Sequence, residues 1–384
     1  MDRGLYTAEH EAFRDSVRTY VEREVVPNMV AWDEQRLVSR AAWIAAGRQG
    51  IIGLPGPEEC GGAALTDYRY RNVIMEEFAV VGANSLSSSF ALQDDILIPY
   101  FTSLADERQR ARWLTPLCAG EKIAAIAMTE PGTGSDLRGI RTTGRKVAGG
   151  WRIDGAKTFI TSGIQSDLVV VVCRTSPEGG SDGFSLIVVE EGTPGFSRGR
   201  KLDKIGLAAQ DTAELFFDDV FVPSENLLGA EGAGFRQLMH HLPLERLSIA
   251  ANAIASADAA FGWTVDYVQQ RQAFGQPIAD FQNTRFVLAE ISAELDVTRA
   301  YVDKCIAAQE HDQLTSVEAA KAKLWASEVQ NRVIDRLLQL YGGYGYMREY
   351  PIARAFQDAR VQRIYGGTSE IMKQIIGRDI IGRR

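Results

Sequence analysis

Leu168-Val-Val-Val-Val-Cys-Arg174, Phe184-Ser-Leu-Ile-Val-Val-Glu190 and Ala213-Glu-Leu-Phe-Phe-Asp-Asp-Val-Phe-Val222 are short runs of β-branched and aromatic residues, separated by Gly, Pro and Asp. Ala124–Met128, Trp151–Gly155 and Ala156–Ser162 are of the same kind, so the stretch from Ile123 to Gly229 is read as a β domain. Upstream, from Thr7 to Gly120, apolar residues such as Phe13, Val17, Tyr20 and Val21, then Val73, Ile74 and Phe78, recur at helical spacing. Pro27, Pro55, Pro99 and Pro116 cut that region into short helices. Downstream of Gly234 the helical period returns in long segments, with Leu247, Ile254, Phe261 and Val268 on one face and Ala320, Leu324, Val333, Leu337 and Leu340 marking another helix. The expected fold class is α+β: helices over 1–122, a β domain over 123–229 and an antiparallel helical bundle over 230–384. An order of this kind holds ligands at domain junctions.

Composition narrows the function. With 384 residues, 45% of them hydrophobic, the chain can bury a large core. A net charge of -8 argues against nucleic acid as a partner, because phosphate-backbone binding needs a concentrated excess of Lys and Arg. No run approaches the roughly 20 apolar residues of a membrane span, and the charged start MDRGLYTAEHEAFRDSV lacks an apolar signal core, so the expectation is a cytoplasmic protein with no membrane partner. The four cysteines are far apart without a CxxC pair, and there are four histidines, so neither a disulfide frame nor a metal site is signalled.

Five segments offer chemistry. Met128-Thr-Glu-Pro-Gly-Thr-Gly-Ser-Asp136 concentrates backbone N–H groups and hydroxyls in one turn after a strand, suited to the polar edge of a flavin, though a plain connecting loop would look similar. In Lys157-Thr-Phe-Ile-Thr-Ser-Gly163, strand alternation puts Phe159 and Thr161 on one face, an aromatic plane beside a hydroxyl; a half-buried strand explains the pattern as well. Arg271 closes the first long helix and Gln282 opens the next; the arginine can clamp a pyrophosphate or simply complement a helix end. Gln339-Leu-Tyr-Gly-Gly-Tyr-Gly-Tyr346 and Tyr365-Gly-Gly-Thr-Ser-Glu-Ile371 are glycine-rich breaks between helices, open to close ligand approach or to simple capping.

Taken together and in this order, the five segments resemble the acyl-CoA dehydrogenase family over essentially the whole chain, and most of all its long-chain branch, whose strings nearly reappear at Ala127, Gly199, Gln210 and Ile364. The resemblance implies a β-barrel-like middle domain, a C-terminal four-helix bundle and non-covalent FAD. It further implies that Met128, Thr129, Ser135, Phe159 and Thr161 lie along the flavin ring, with Thr368 and Glu370 completing those contacts. Arg271, Phe274, Gln282, Gln339, Gly342 and Gly343 would hold the ADP half of a neighbouring subunit's FAD within a homotetramer. Phe159 stands where many members have Trp, and Ala273 where some have Thr.

The reaction implied is oxidation of a fatty-acyl-CoA to the trans-2-enoyl thioester, with electrons passed to an electron-transfer flavoprotein. A carboxylate must take the α-proton while a hydride leaves the β-carbon. Many family members place it directly after the tyrosine of the last glycine-rich motif, where this chain has Gly366. The isovaleryl and long-chain branches use the first bundle helix instead, and Leu242-Pro-Leu-Glu-Arg-Leu247 is the matching string, so Glu245 is the expected base. By itself, a Glu two residues after Pro243 reads as a stabiliser of a helix start, a placement that lowers its pKa until an acyl chain excludes water and raises it. Arg246 resembles the residue that meets the CoA moiety; Ser135, Gly366 and Gly367 complete the expected substrate contacts, the Gly366 N–H serving the developing enolate. An oxidase on the same fold, a dehydrogenase of carrier-protein thioesters and a non-catalytic flavin scaffold are the competing readings.

Overall fold

The computed structural model describes residues 3–176 and 180–382. Short helices make up the N-terminal region, the longest being Ala8–Tyr20 and Tyr68–Val80. Pro99 and Pro116 lie just past the π-helical segments Leu92–Leu97 and Arg110–Leu114, inside continuous helical stretches whose hydrogen-bond register changes ahead of each proline.

Eight strands follow: β1 (Ala124–Ala127), β2 (Thr143–Val147), β3 (Gly150–Thr161), β4 (Leu168–Arg174), β5 (Phe184–Glu190), β6 (Phe196–Lys201), β7 (Thr212–Pro223) and β8 (Leu227–Leu228). They form one sheet in the order β6-β7-β3-β2-β4-β5-β8, with β1 alongside β4. The unbroken apolar runs of β4 and β5 are explained by burial on both faces. Val169, Val171, Cys173, Ile187 and Val189 enter the core of the β domain. Their alternating neighbours Leu168, Val170, Val172, Leu186 and Val188 enter the core of the N-terminal helices.

The C-terminal region packs Gly234–Gln270, Gln282–Glu310, Ser316–Leu340 and Ser369–Ile381, with the shorter Pro351–Ala359 beside them. Small residues let the first and third of these helices approach: Ala250, Ala253, Ala257, Ala322 and Ala326 share one core. The first bundle helix begins at Gly234, well before Pro243, which lies inside it. Glu245 is therefore an interior helical residue, and the expectation of a helix start beside it is corrected. Pro243 removes one i→i−4 hydrogen bond, a loss the long packed helix absorbs.

A buried polar contact ties this helix to the N-terminal region. Asp95 accepts from Arg71 Nε at 2.8 Å and from Ser248 Oγ at 2.6 Å, all three buried. Removing one partner of such a charge pair costs about 3–5 kcal/mol, so the contact fixes the rotation of the helix one turn from Glu245.

Candidate active site

The loop after β1 is held by a buried ion pair. Lys157 Nζ donates to Glu130 Oε1 at 3.0 Å, to the Met128 carbonyl at 3.0 Å and to the Val172 carbonyl at 2.9 Å. Glu130 also accepts the backbone N–H groups of Arg141 (2.7 Å) and Thr142 (2.8 Å). Burial opposes its charge, but those hydrogen bonds and the Lys157 ammonium hold its carboxyl below the usual range. With Glu130 turned inward, Thr133, Gly134 and Ser135 are left at the surface. Thr158 N donates to the Thr129 carbonyl at 2.9 Å, which brings the first two chemical segments side by side.

Phe159 is the unusual residue here. It is 68% exposed and has φ of +59°, a left-handed conformation rare for a bulky side chain. The β3–β7 register shifts between Lys157 and Ile160, so simple alternation does not carry through and does not by itself put Phe159 and Thr161 on one face. A bulge re-aims the ring, which stands out from the strand beside Thr129 and the half-buried Thr161. An exposed aromatic plane on a strained backbone, flanked by hydroxyls and unshielded loop N–H groups, suits a flat heteroaromatic ligand.

Glu245, on the first bundle helix, is close enough to Tyr100 of the N-terminal helices for its charge to bear on that hydroxyl. Its carboxyl is deep in the fold yet still partly accessible, and burial pushes its pKa up to about 6 against the pull of Arg246 and Lys323. The helix-end lowering expected from sequence does not operate, because the helix N-terminus is about three turns away. Beside it is the turn Tyr365–Thr368. Gly366 has φ of +61° and Gly367 of +94°. A Cβ on Gly366 would lie 3.5 Å from Glu245 Oε1 and 2.3 Å from Ile249 Cδ1. Glycine there removes both the strain and the clash. Among the described residues, the Gly366 N–H meets no protein acceptor, which leaves a donor free.

Tyr100, Arg246 and the capped start of the last helix stand around this corner. Tyr100 is buried, with its hydroxyl pKa raised by burial and then by the Glu245 charge. Arg246 is buried and donates to Ser316 Oγ at 3.1 Å, while its Nε has no partner among the described residues. Thr368 caps the last helix by accepting from Ile371 N, and Glu370 sits exposed in its first turn. Glu370 is thus a surface carboxylate, unlike Glu245.

Sequence reading missed the role of the third bundle helix. Glu328 accepts from Arg363 Nε and from Ser369 Oγ, both at 2.8 Å, and so holds the two ends of the glycine turn. Lys323, fully buried, donates to the Gly367 carbonyl at 2.6 Å and holds its middle. A lysine on the same helical face as buried Ala319 and Ala326 is the signal that could have found it.

The remaining residues gather at the bundle end. Arg271 caps the first helix with its guanidinium 5.3 Å from the ring centre of Tyr344, which lies next to Gly342 and Gly343. Phe274 is 98% exposed with φ of +54°, and Gln282 and Gln339 are exposed nearby in sequence to this corner. Arg271 makes no ion pair among the described residues. No described hydrogen bond or ring contact joins this group to Phe159 or Glu245. An unpaired arginine among exposed amides and a bare aromatic ring fits a phosphate-bearing ligand approached from outside the chain.

Comparison with known proteins places the whole chain in one family. The acyl-CoA dehydrogenase N-terminal, middle and C-terminal domain descriptions match residues 7–121, 125–220 and 232–381. A mitochondrial long-chain specific acyl-CoA dehydrogenase from Sus scrofa is 47% identical over 381 residues, covering 99% of this chain and 88% of the relative. The crystal structure of an acyl-CoA dehydrogenase from Geobacillus kaustophilus superposes with a TM-score of 0.95 at 44% identity, covering 98% of each chain. A glutaryl-CoA dehydrogenase from Mycobacterium smegmatis, solved in complex with FADH2, superposes with a TM-score of 0.92 at 25% identity, covering 100% of this chain and 97% of the other. The chain belongs to the acyl-CoA dehydrogenase family of FAD-dependent oxidoreductases.

Proposed function

We propose that this protein converts a fatty-acyl-CoA to the trans-2-enoyl-CoA with Glu245 as the base, and that the domain limits read from sequence, 1–122, 123–229 and 230–384, bound its three working parts. The observation that carries the assignment is the meeting of Glu245 with the Gly366 turn. A carboxyl with a pKa near 6 is largely ionised at neutral pH and basic enough to take a proton from an acidified α-carbon. The Gly366 N–H, free of protein acceptors, donates to the thioester oxygen as enolate charge develops. Arg246, half-satisfied in its buried site, receives the CoA moiety. FAD, when bound, supplies the acceptor for the β-hydride. Met128, Thr129, Ser135, Phe159, Thr161, Thr368 and Glu370 would hold its ring, and Arg271, Phe274, Gln282, Gln339, Gly342 and Gly343 of a second subunit its ADP half. That division makes the active form an oligomer, for which we infer a homotetramer, and an electron-transfer flavoprotein takes the electrons onward.

No helix among the described residues is long and apolar enough to cross a membrane. The deciding experiment is anaerobic mixing of the FAD-loaded protein with acyl-CoAs from C4 to C16 and with branched chains. Bleaching of the flavin with formation of the enoyl thioester is expected; no bleaching with any of them refutes the assignment. Fast oxygen consumption would favour the oxidase reading, and a strong preference for acyl-carrier protein over the same acyl-CoA the biosynthetic one.

A further inference from the structure

Lys323 is the one fully buried lysine in the bundle, and its ammonium finds a carbonyl where a carboxylate partner would be expected. Burying a charge without an ion partner is expensive, and the ammonium pKa is lowered to about 8 by burial and then by Arg246, against Glu328, Glu245 and Glu370. The bond is charge-assisted and falls on the centre of a two-glycine turn whose ends Glu328 already clamps. Two consecutive glycines at positive φ have wide conformational freedom, so a clamp at the ends alone leaves the path of the turn between them loosely held, and a further bond to the Gly367 carbonyl narrows it.

We propose that Lys323 is a positioning residue for the dehydrogenation: by holding the Gly367 carbonyl it anchors the far end of the two-glycine turn whose near end presents the Gly366 N–H to the thioester oxygen, and its charge bears on Glu245. This rests on Glu245 being the base. The groups facing Glu245 are Arg246 on its own helix, Lys323 from the third bundle helix, Tyr100 from the N-terminal helices and Tyr365 from the turn. Arg246 and Lys323 are the cations among them, and neither makes an ion pair with Glu245 within 4.0 Å. The consequence is a positive field where the α-proton leaves and enolate charge appears. Losing Lys323 loosens the turn that carries the donor and removes one of the two cations that favour the charged form of Glu245.

The test uses the full-length FAD-loaded protein. Lys323→Met is expected to keep its FAD and its affinity for a saturated thioester analogue, to lower the limiting rate of flavin reduction at least tenfold, and to move the acid midpoint of the pH–rate profile upward, since Glu245 loses a cation that favours its charged form. Lys323→Arg, which keeps the charge and a donor, returns the midpoint toward the wild-type value. If Lys323→Met fails to hold FAD, Lys323→Gln makes the same test, retaining a donor for the carbonyl without the charge. A rate that drops with an unmoved midpoint makes Lys323 a packing residue and overturns the proposal, as does a wild-type rate. Glu245→Gln run alongside separates the two assignments: if it still reduces flavin normally the base is misassigned, whereas an inactive Glu245→Gln with an unaffected Lys323→Met sinks the lysine alone.

Discussion

Glu245 Oε1 lies 3.5 Å from the point at which a side chain on Gly366 would begin, so the first bundle helix and the last glycine turn address one spot from two directions. Glu370, in contrast, is exposed on the outer side of the last helix. Glu245→Gln keeps shape and loses the base, and should slow flavin reduction by about 10²–10⁴ with FAD and acyl-CoA still bound. Glu370→Gln should reduce at close to the wild-type rate. Single-turnover stopped flow with the two outcomes reversed would show Glu245 to be only a structural helix residue.

The raised pKa of Glu245 is also a statement about stability. A carboxyl whose folded-state pKa is about 6 against an ordinary 4.5 favours folding below pH 4.5, and that contribution is lost as pH rises through 6. Ionised at pH 7.5, it costs the fold on the order of 2 kcal/mol. Glu245→Gln should accordingly raise the thermal midpoint of the substrate-free protein at pH 7.5 and leave it nearly unchanged at pH 4.5. An equal change at both values would mean that burial is not what shifts the group.

How much of this was legible beforehand depends on the range of the interaction. The change of period at Ile123 and again near Gly234 is local, and both transitions stand where the pattern put them. Pro243 misled because proline favours a first helical turn, whereas buried Leu238 and Gly234 extend the helix backward through tertiary packing. The bulge at Phe159 follows from pairing with β7, which no alternation rule contains. Glu130 with Lys157, and Lys323 with Gly367, join segments distant in sequence through single bonds. Such pairs leave no periodic trace, and only a charged residue on an otherwise apolar face hints at them.

Phe159 carries backbone strain of roughly 1–3 kcal/mol to present an exposed ring. Phe159→Gly relieves the strain and removes the plane. The FAD-free protein should melt at the same temperature or slightly higher, while the dissociation constant for FAD rises at least tenfold by fluorescence titration. A variant that retains FAD as tightly as wild type would make the conformation a structural accident of the bulge.

Among the described residues the Arg271 side chain has no ion pair or hydrogen bond, its guanidinium lying 5.3 Å from the centre of the Tyr344 ring, so little folding energy depends on it. Arg271→Ala should leave the melting curve of the FAD-free protein within about 0.5 kcal/mol of wild type. It should weaken FAD retention by 1.5–3 kcal/mol, the range of about one charge-assisted hydrogen bond. Sedimentation of the same variant separates the two ways this could happen: loss of FAD with the oligomer intact points to direct contact, and loss of both to an assembly role.

Relocating the base tests whether the two elements truly converge. Glu245→Ala with Gly366→Glu puts the carboxylate in the turn, but the new Cβ would meet Ile249 Cδ1 at 2.3 Å, and a glutamate must adopt φ of +61°. The left-handed backbone costs about 1–2 kcal/mol and is tolerable; the overlap is not, because something must shift. The offending atom is the one that Ile249→Val removes, at a cost of about 0.5–1.5 kcal/mol. The double variant should therefore stay within a few-fold of Glu245→Ala, and adding Ile249→Val should raise flavin reduction at least tenfold above it. No gain in the triple variant, with FAD retained and thioester bound, would mean that a carboxylate reaching in from position 366 points away from the α-carbon, and that the closeness of Gly366 to Glu245 serves packing alone.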